Sequence, residues 1–140
     1  MNNNRKFVVI RTLIMVKYLF YMSNILLIVF YLFPGSILGC LIYDNCKIQP
    51  QLTSDFLVSS NHVYAFSIIS LLGFISYPKK SAFIRIVTYL FIISIFLELL
   101  HLVIPERGFE IKDLAGNIVG VAISLIIILI FKLRKKNEQF

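Results

Sequence analysis

Acidic side chains are scarce in this chain. Seven Asp and Glu stand against fourteen Lys and Arg in 140 residues, a formal charge of +7. A basic balance suits nucleic acid, an anionic lipid surface or membrane topology, and position decides among them. No continuous soluble basic face is present, so nucleic acid has no surface to bind. The basic residues stand at the ends of apolar segments instead, which is the membrane pattern. Cysteine is also rare. Cys40 and Cys46 have no second Cys or His pair nearby, so the zinc-finger type of metal site is not encoded. Their spacing admits a local disulfide where that face is oxidising, and two free thiols otherwise. There is no Gly-x-Ser-x-Gly motif, no phosphate-binding loop and no paired-Cys motif, so no catalytic class is advertised. No internal repeat is found. The N-terminal apolar stretch runs on to Phe33 with no small-residue cleavage site before it, and reads as a retained first span.

What the chain has in excess is apolar residues: 59%, with a mean hydropathy of +0.86. A soluble domain carries about 45–50%. The excess predicts a single all-α membrane domain over residues 1–140, a four-helix bundle with spans at 12–33, 58–77, 82–104 and 114–131. Asn2, Asn3 and Asn4 read as a short disordered start. Pro34-Gly35-Ser36, Pro78-Lys79-Lys80-Ser81 and Pro105-Glu106-Arg107-Gly108 break the helices. Eleven of the fourteen basic residues lie in the N-terminal flank, the 78–85 turn and the C-terminal tail. The positive-inside rule therefore places both termini in the cytoplasm, with loops 34–57 and 105–113 outward. Lys17 lies just inside the first span and snorkels to the headgroups. Ser23 and Asn24 sit mid-span, where they can hydrogen-bond to another helix.

One stretch breaks the apolar pattern. Between Glu98 and Gly120 stand four of the seven acidic residues together with His101, Arg107, Asn117 and three glycines. Glu98 and His101 share a helix face. Asp113 is placed as the N-cap of the last helix, and Asn117 follows one turn on. Gly116 and Gly120 form Gly-x-x-x-Gly, a strip against which another helix packs closely. The strip is expected to face the third span, bringing Glu98 and His101 toward Asp113 and Asn117. A carboxylate near a membrane helix end needs a partner. Arg107 is expected to pair with Glu98 or Asp113, or to offer its fork to an anionic group from outside. Glu-x-x-His also occurs in metal sites of helical bundles, where His62 and Asp113 would have to complete the ligands. The favoured reading holds no metal and no cofactor, and takes His62 and His101 as interfacial histidines.

In these residues the chain resembles the VanZ-like family of small bacterial membrane proteins. The shared pattern is a Glu ending a helix, an Arg in the turn, an Asp opening the next helix, then Asn and Gly. Glu98, Arg107, Asp113, Asn117 and Gly120 stand in those places, while His101 replaces the family's usual Gln. Upstream, Asn61-His62 and Leu72-Gly73 fall near family positions, without the family's acidic residue and lysine. The Pro34 break also fits. The resemblance implies a multi-pass envelope protein, and the family's named member is associated with resistance to the glycopeptide teicoplanin.

The residues and the resemblance together predict a membrane protein whose outward cap of Glu98, His101, Arg107, Asp113 and Asn117 binds an anionic envelope lipid, a glycan precursor or a partner. The competing expectation is a membrane-embedded enzyme with Glu98 and His101 as an acid–base pair and Arg107 stabilising an oxyanion. A third is an assembly factor in which the cluster only locks helices. No charge sits deep at mid-membrane, which disfavours a transporter.

Overall fold

The computed structural model describes residues 3–137. It contains five helices, α1 (Asn3–Leu32), α2 (Ile37–Tyr43), α3 (Ser60–Ser76), α4 (Lys80–Leu100) and α5 (Ile111–Asn137), and no strand among the described residues. The helix count is therefore five, not four. The extra helix, α2, lies within the loop expected at 34–57. Ser36 starts it, its hydroxyl accepting from the Gly39 amide at 3.0 Å, and Asp44 ends it in the left-handed conformation at φ 50°. Cys40 and Cys46 are disulfide-bonded across that end. Gly35 makes the turn between α1 and α2 at φ 78°, and a Cβ there would stand 2.6 Å from the Cys46 carbonyl oxygen. The disordered start is corrected at Asn3 and Asn4, which begin α1 because no Gly or Pro interrupts the helix there. Asn2 lies outside the described residues.

Three helices are long and apolar enough to cross a membrane: Phe7–Leu32, Lys80–Leu100 and Ile111–Lys135. The apolar helix α3, at 17 residues, is shorter. α4 ends at Leu100 because Leu102 and Val103 bond back three residues, to Leu99 and Leu100, and tighten the chain into turns. Helix α3 packs against α1, α4 and α5, with its longest contact on α5. Successive long helices run antiparallel, so α3 and α5 lie parallel, both starting at one end of the bundle, as α1 and α4 both finish there. One end of the bundle gathers Tyr31 of α1, His62 of α3, Glu98 of α4 and Asn117 of α5. At the other end the Tyr21 and Tyr77 hydroxyls bond to each other, and Lys132 lies over the Phe83 ring.

The polarity is that of a protein solvated by lipid. Large apolar side chains such as Ile14, Met22, Ile92, Phe96 and Ile126 face outward. Asn24, Ser70, Ser94, Asn117 and Ser124 are buried among Phe66, Ile69, Phe74, Leu90, Leu97 and Val121. These polar groups tie helices together. Tyr89 donates to Asn24 Oδ1 at 2.6 Å, and Ser124 donates to the Ser67 carbonyl at 3.0 Å.

The Gly116/Gly120 strip faces α3, not α4 as expected. A Cβ on Gly116 would stand 2.7 Å from the Ser59 carbonyl oxygen, and one on Gly120 2.6 Å from that of Val63. The reason lies one residue away. Asn117, rotated about 100° from Gly116 around α5, is the side chain that reaches α4, where its Nδ2 donates to the Ser94 carbonyl at 3.1 Å. The two glycines then have to take the α3 side.

Candidate functional site

At the end of the bundle near residues 98–117, four helices contribute to one buried polar cluster. Helical register places its members. Asn117 projects from the second turn of α5, and its amide is oriented by the bond to Ser94, which leaves Oδ1 as a pure acceptor. Tyr31, at the end of α1, donates its hydroxyl to that oxygen at 2.7 Å. His62 Nδ1, in the first turn of α3, lies 3.0 Å from the same oxygen and 2.8 Å from the Tyr31 hydroxyl. Its other nitrogen, Nε2, stands 3.4 Å from Asp113 Oδ2. Glu98, in the last turn of α4, accepts on Oε1 from the Glu110 amide at 3.2 Å and contacts His101 Nδ1 at 3.3 Å. His101 Nε2 donates to the Tyr31 carbonyl at 3.1 Å, and its ring stacks on that of Tyr31 with centroids 5.3 Å apart. Glu98 and Asn117 are fully buried, and His62 and His101 nearly so.

Four of the five expected binding residues thus meet: Glu98, His101, Asp113 and Asn117. Asp113 is not the N-cap. The helix begins two residues earlier, at Ile111, so Asp113 falls in the first turn and its carboxylate turns to His62. Neither histidine is simply interfacial, because both are buried, His62 against Tyr31 and Asn117 and His101 against Tyr31 and Glu98.

Arg107 does not pair with Glu98 or Asp113. Its Nε donates to the Phe33 carbonyl at 3.2 Å, Nη2 to the Phe30 carbonyl at 2.9 Å and Nη1 to Gln49 Oε1 at 3.3 Å. The last carbonyls of a helix lack intrahelical donors, and Arg107 caps those of α1. Among the described residues no carboxylate lies within ion-pairing distance of it. Its partial burial lowers its pKa from the ordinary arginine value, opposed by the fields of Tyr31, Asp113 and Glu98. It remains a cation.

Arg107 also lines a cavity of about 480 Å³ between α1, α2 and α3. The wall is mostly apolar, with Leu26, Phe30, Leu38 and Ile68 among its members. Tyr31, His62, His101, Gln49 and Arg107 are among its polar members, whereas Glu98 does not line it. A second, more polar hollow of about 370 Å³ adjoins it, sharing Gln49, Ser36 and Arg107.

Sequence reasoning missed Tyr31 as a member of the cluster. It lies within the first apolar segment, and its hydroxyl near the segment's end was the only signal. A family model described as VanZ/LLP1 matches residues 7–132. No curated protein and no solved structure matches the chain.

Proposed function

The chain belongs to the VanZ/LLP1 family, and from that premise we propose a multi-pass protein of the bacterial plasma membrane that holds an anionic envelope lipid, or a lipid-linked glycan precursor, in the cavity between α1, α2 and α3. Both termini are cytoplasmic in this reading and the cavity's polar portion faces outward. The observation that carries it is Arg107, a half-buried guanidinium with no carboxylate partner among the described residues, beside a mostly apolar cavity of about 480 Å³. The apolar wall suits an acyl or isoprenoid chain. The guanidinium suits a phosphate or carboxylate, which it can meet with charge-assisted bonds. Glu98, Asp113 and Asn117 stand behind the wall to which Tyr31, His62 and His101 belong.

An acid–base role for Glu98 and His101 is less well supported, since Glu98 is fully buried and outside the cavity lining. The test is the lipid that accompanies the detergent-purified protein, identified by mass spectrometry. An anionic lipid should co-purify near one per chain and be lost from Arg107→Gln that elutes as a folded species. Equal retention by Arg107→Gln, or retention of zwitterionic lipid only, would sink the reading. The association of the family's named member with teicoplanin makes teicoplanin susceptibility a fitting cellular readout of the same variant.

A further inference from the structure

We propose that His62, Glu98 and Asp113 form a site for a divalent transition-metal cation, with Zn²⁺ the ion that the donor set suits best. The three come from α3, α4 and α5, and each offers one donor atom within 4.8 Å of the other two. Donors bound to a common Zn²⁺ at about 2.0–2.2 Å lie on the order of 3–4 Å apart, so small side-chain rotations close the set. One imidazole and two carboxylates make a borderline, oxygen-rich site of the kind transition metals take.

Two further observations point to an ion. The first is Glu98 Oε2, which is buried and has no hydrogen-bond partner, although its sister oxygen contacts the Glu110 amide and His101. It lies 4.0 Å from His62 Nδ1, so the carboxylate has to swing toward Nε2 to share an ion there with Asp113. An orphaned buried carboxylate oxygen costs several times what a made hydrogen bond returns, and a cation placed among the three residues satisfies it. The second is the state of His62. Asn117 Oδ1 only accepts, so His62 Nδ1, at 3.0 Å from it, must carry the hydrogen. In the neutral ring the lone pair is then on Nε2, and it faces Asp113 Oδ2 at 3.4 Å. A lone pair against a carboxylate is repulsive unless a proton or a cation lies between them.

The charges lead the same way. Glu98 and Asp113 place two negative groups at a buried site that no Lys or Arg reaches within ion-pairing distance among the described residues. A divalent ion balances them. The groups around the set match what metal ligands require, with the distal atom of His62 and of Glu98 held. Asn117 and Tyr31 hold His62 Nδ1, and the Glu110 amide holds Glu98 Oε1. The Glu-x-x-His pair does not itself chelate, because both His101 nitrogens are engaged, one by Glu98 Oε1 and one by the Tyr31 carbonyl. The inference is independent of what the cavity holds.

The experiment uses the untagged full-length protein in detergent, stripped with chelator and titrated calorimetrically with Zn²⁺. One ion should bind per chain, and the thermal midpoint should rise on binding. Asp113→Asn and His62→Gln should each abolish the saturable uptake. Tyr31→Phe, which loosens a group holding His62, should weaken it about tenfold or more. Asp113 is the most exposed of the three ligands, so Asp113→Asn decides the matter if the buried variants fail to fold. No stoichiometric uptake by the folded protein overturns the proposal, as does uptake unchanged in Asp113→Asn. A lipid result for Arg107→Gln leaves both outcomes readable.

Discussion

The cluster shows what one hydroxyl and one guanidinium do at buried positions. Tyr31 satisfies Asn117 Oδ1 and lies 2.8 Å from His62 Nδ1 while its ring packs between the two histidines. Tyr31→Phe keeps the ring and removes only the hydroxyl. It should cost about 1–2 kcal/mol, the range for losing a buried hydrogen bond whose partner has a second donor. Equilibrium unfolding in mixed micelles would measure it, and a variant as stable as the parent would show that the hydroxyl contributes nothing. Arg107 acts differently, because its three donors satisfy acceptors on two segments at once. Arg107→Lys keeps the charge and cannot reproduce the fork, so it should leave at least one α1 carbonyl without its donor. A loss of about 1.5–3 kcal/mol is expected, with faster proteolysis of the 101–110 segment as the local sign.

Among the elements, the contact of α3 with α5 rests on glycine. The atoms that a Cβ on Gly120 would meet are the Val63 carbonyl oxygen, the Phe66 Cβ and the Ser67 amide nitrogen, none of which can rotate aside. Gly120→Ala should therefore push the helices apart and destabilise the bundle by about 1–3 kcal/mol. Gly108→Ala, in open space, should stay within about 0.5 kcal/mol of the parent. Thermal melts of the two variants in one detergent compare them directly, and similar midpoints would refute a close-packed seam. This seam also marks how far the sequence was legible. The long apolar helices were readable from hydropathy and from the Pro breaks. Their facing was not, because nearly every span position is apolar and lipid asks for no polar stripe. Gly116 and Gly120 were recognisable as a packing strip, but their partner was settled by Asn117 reaching Ser94. Of the partners of Glu98, His101 was legible from its spacing on the same helix face, and the Glu110 amide was not. That amide lies twelve residues on, in the segment between α4 and α5, and no helical spacing reaches it. Helix α2 was too short for any hydropathy window, and only Ser36 and Asp44 mark its ends.

For the whole molecule, charge and length together predict an orientation. The polar cluster and the basic residues occupy opposite ends of the bundle. Among the described residues, Lys17, Lys79, Lys80, Arg85, Lys132, Arg134 and Lys135 belong to the end where Tyr21 meets Tyr77, while Lys47, Arg107 and Lys112 belong to the end of Glu98. The positive-inside rule counts this bias over short loops, and every connection here is short. Helix length adds a second constraint. At about 1.5 Å per residue the 21 residues of α4 match the hydrocarbon thickness of about 30 Å, and the 17 residues of α3 fall short by about 5 Å. Asn61 closes the gap at its N-terminus, donating to the Pro50 carbonyl and accepting from the Leu52 amide, so the 49–58 segment folds down over the start of α3. The short helix therefore draws this loop, and the cavity beside it, toward the membrane surface at the Glu98 end of the bundle. The expected outcome is that green fluorescent protein fused after Phe140 fluoresces in cells, that alkaline phosphatase fused there is inactive, and that the same phosphatase inserted within 53–57 is active. The reverse pattern would place the cavity on the cytoplasmic side, where an outward-leaflet lipid could not reach Arg107, and the proposed role would fall with it.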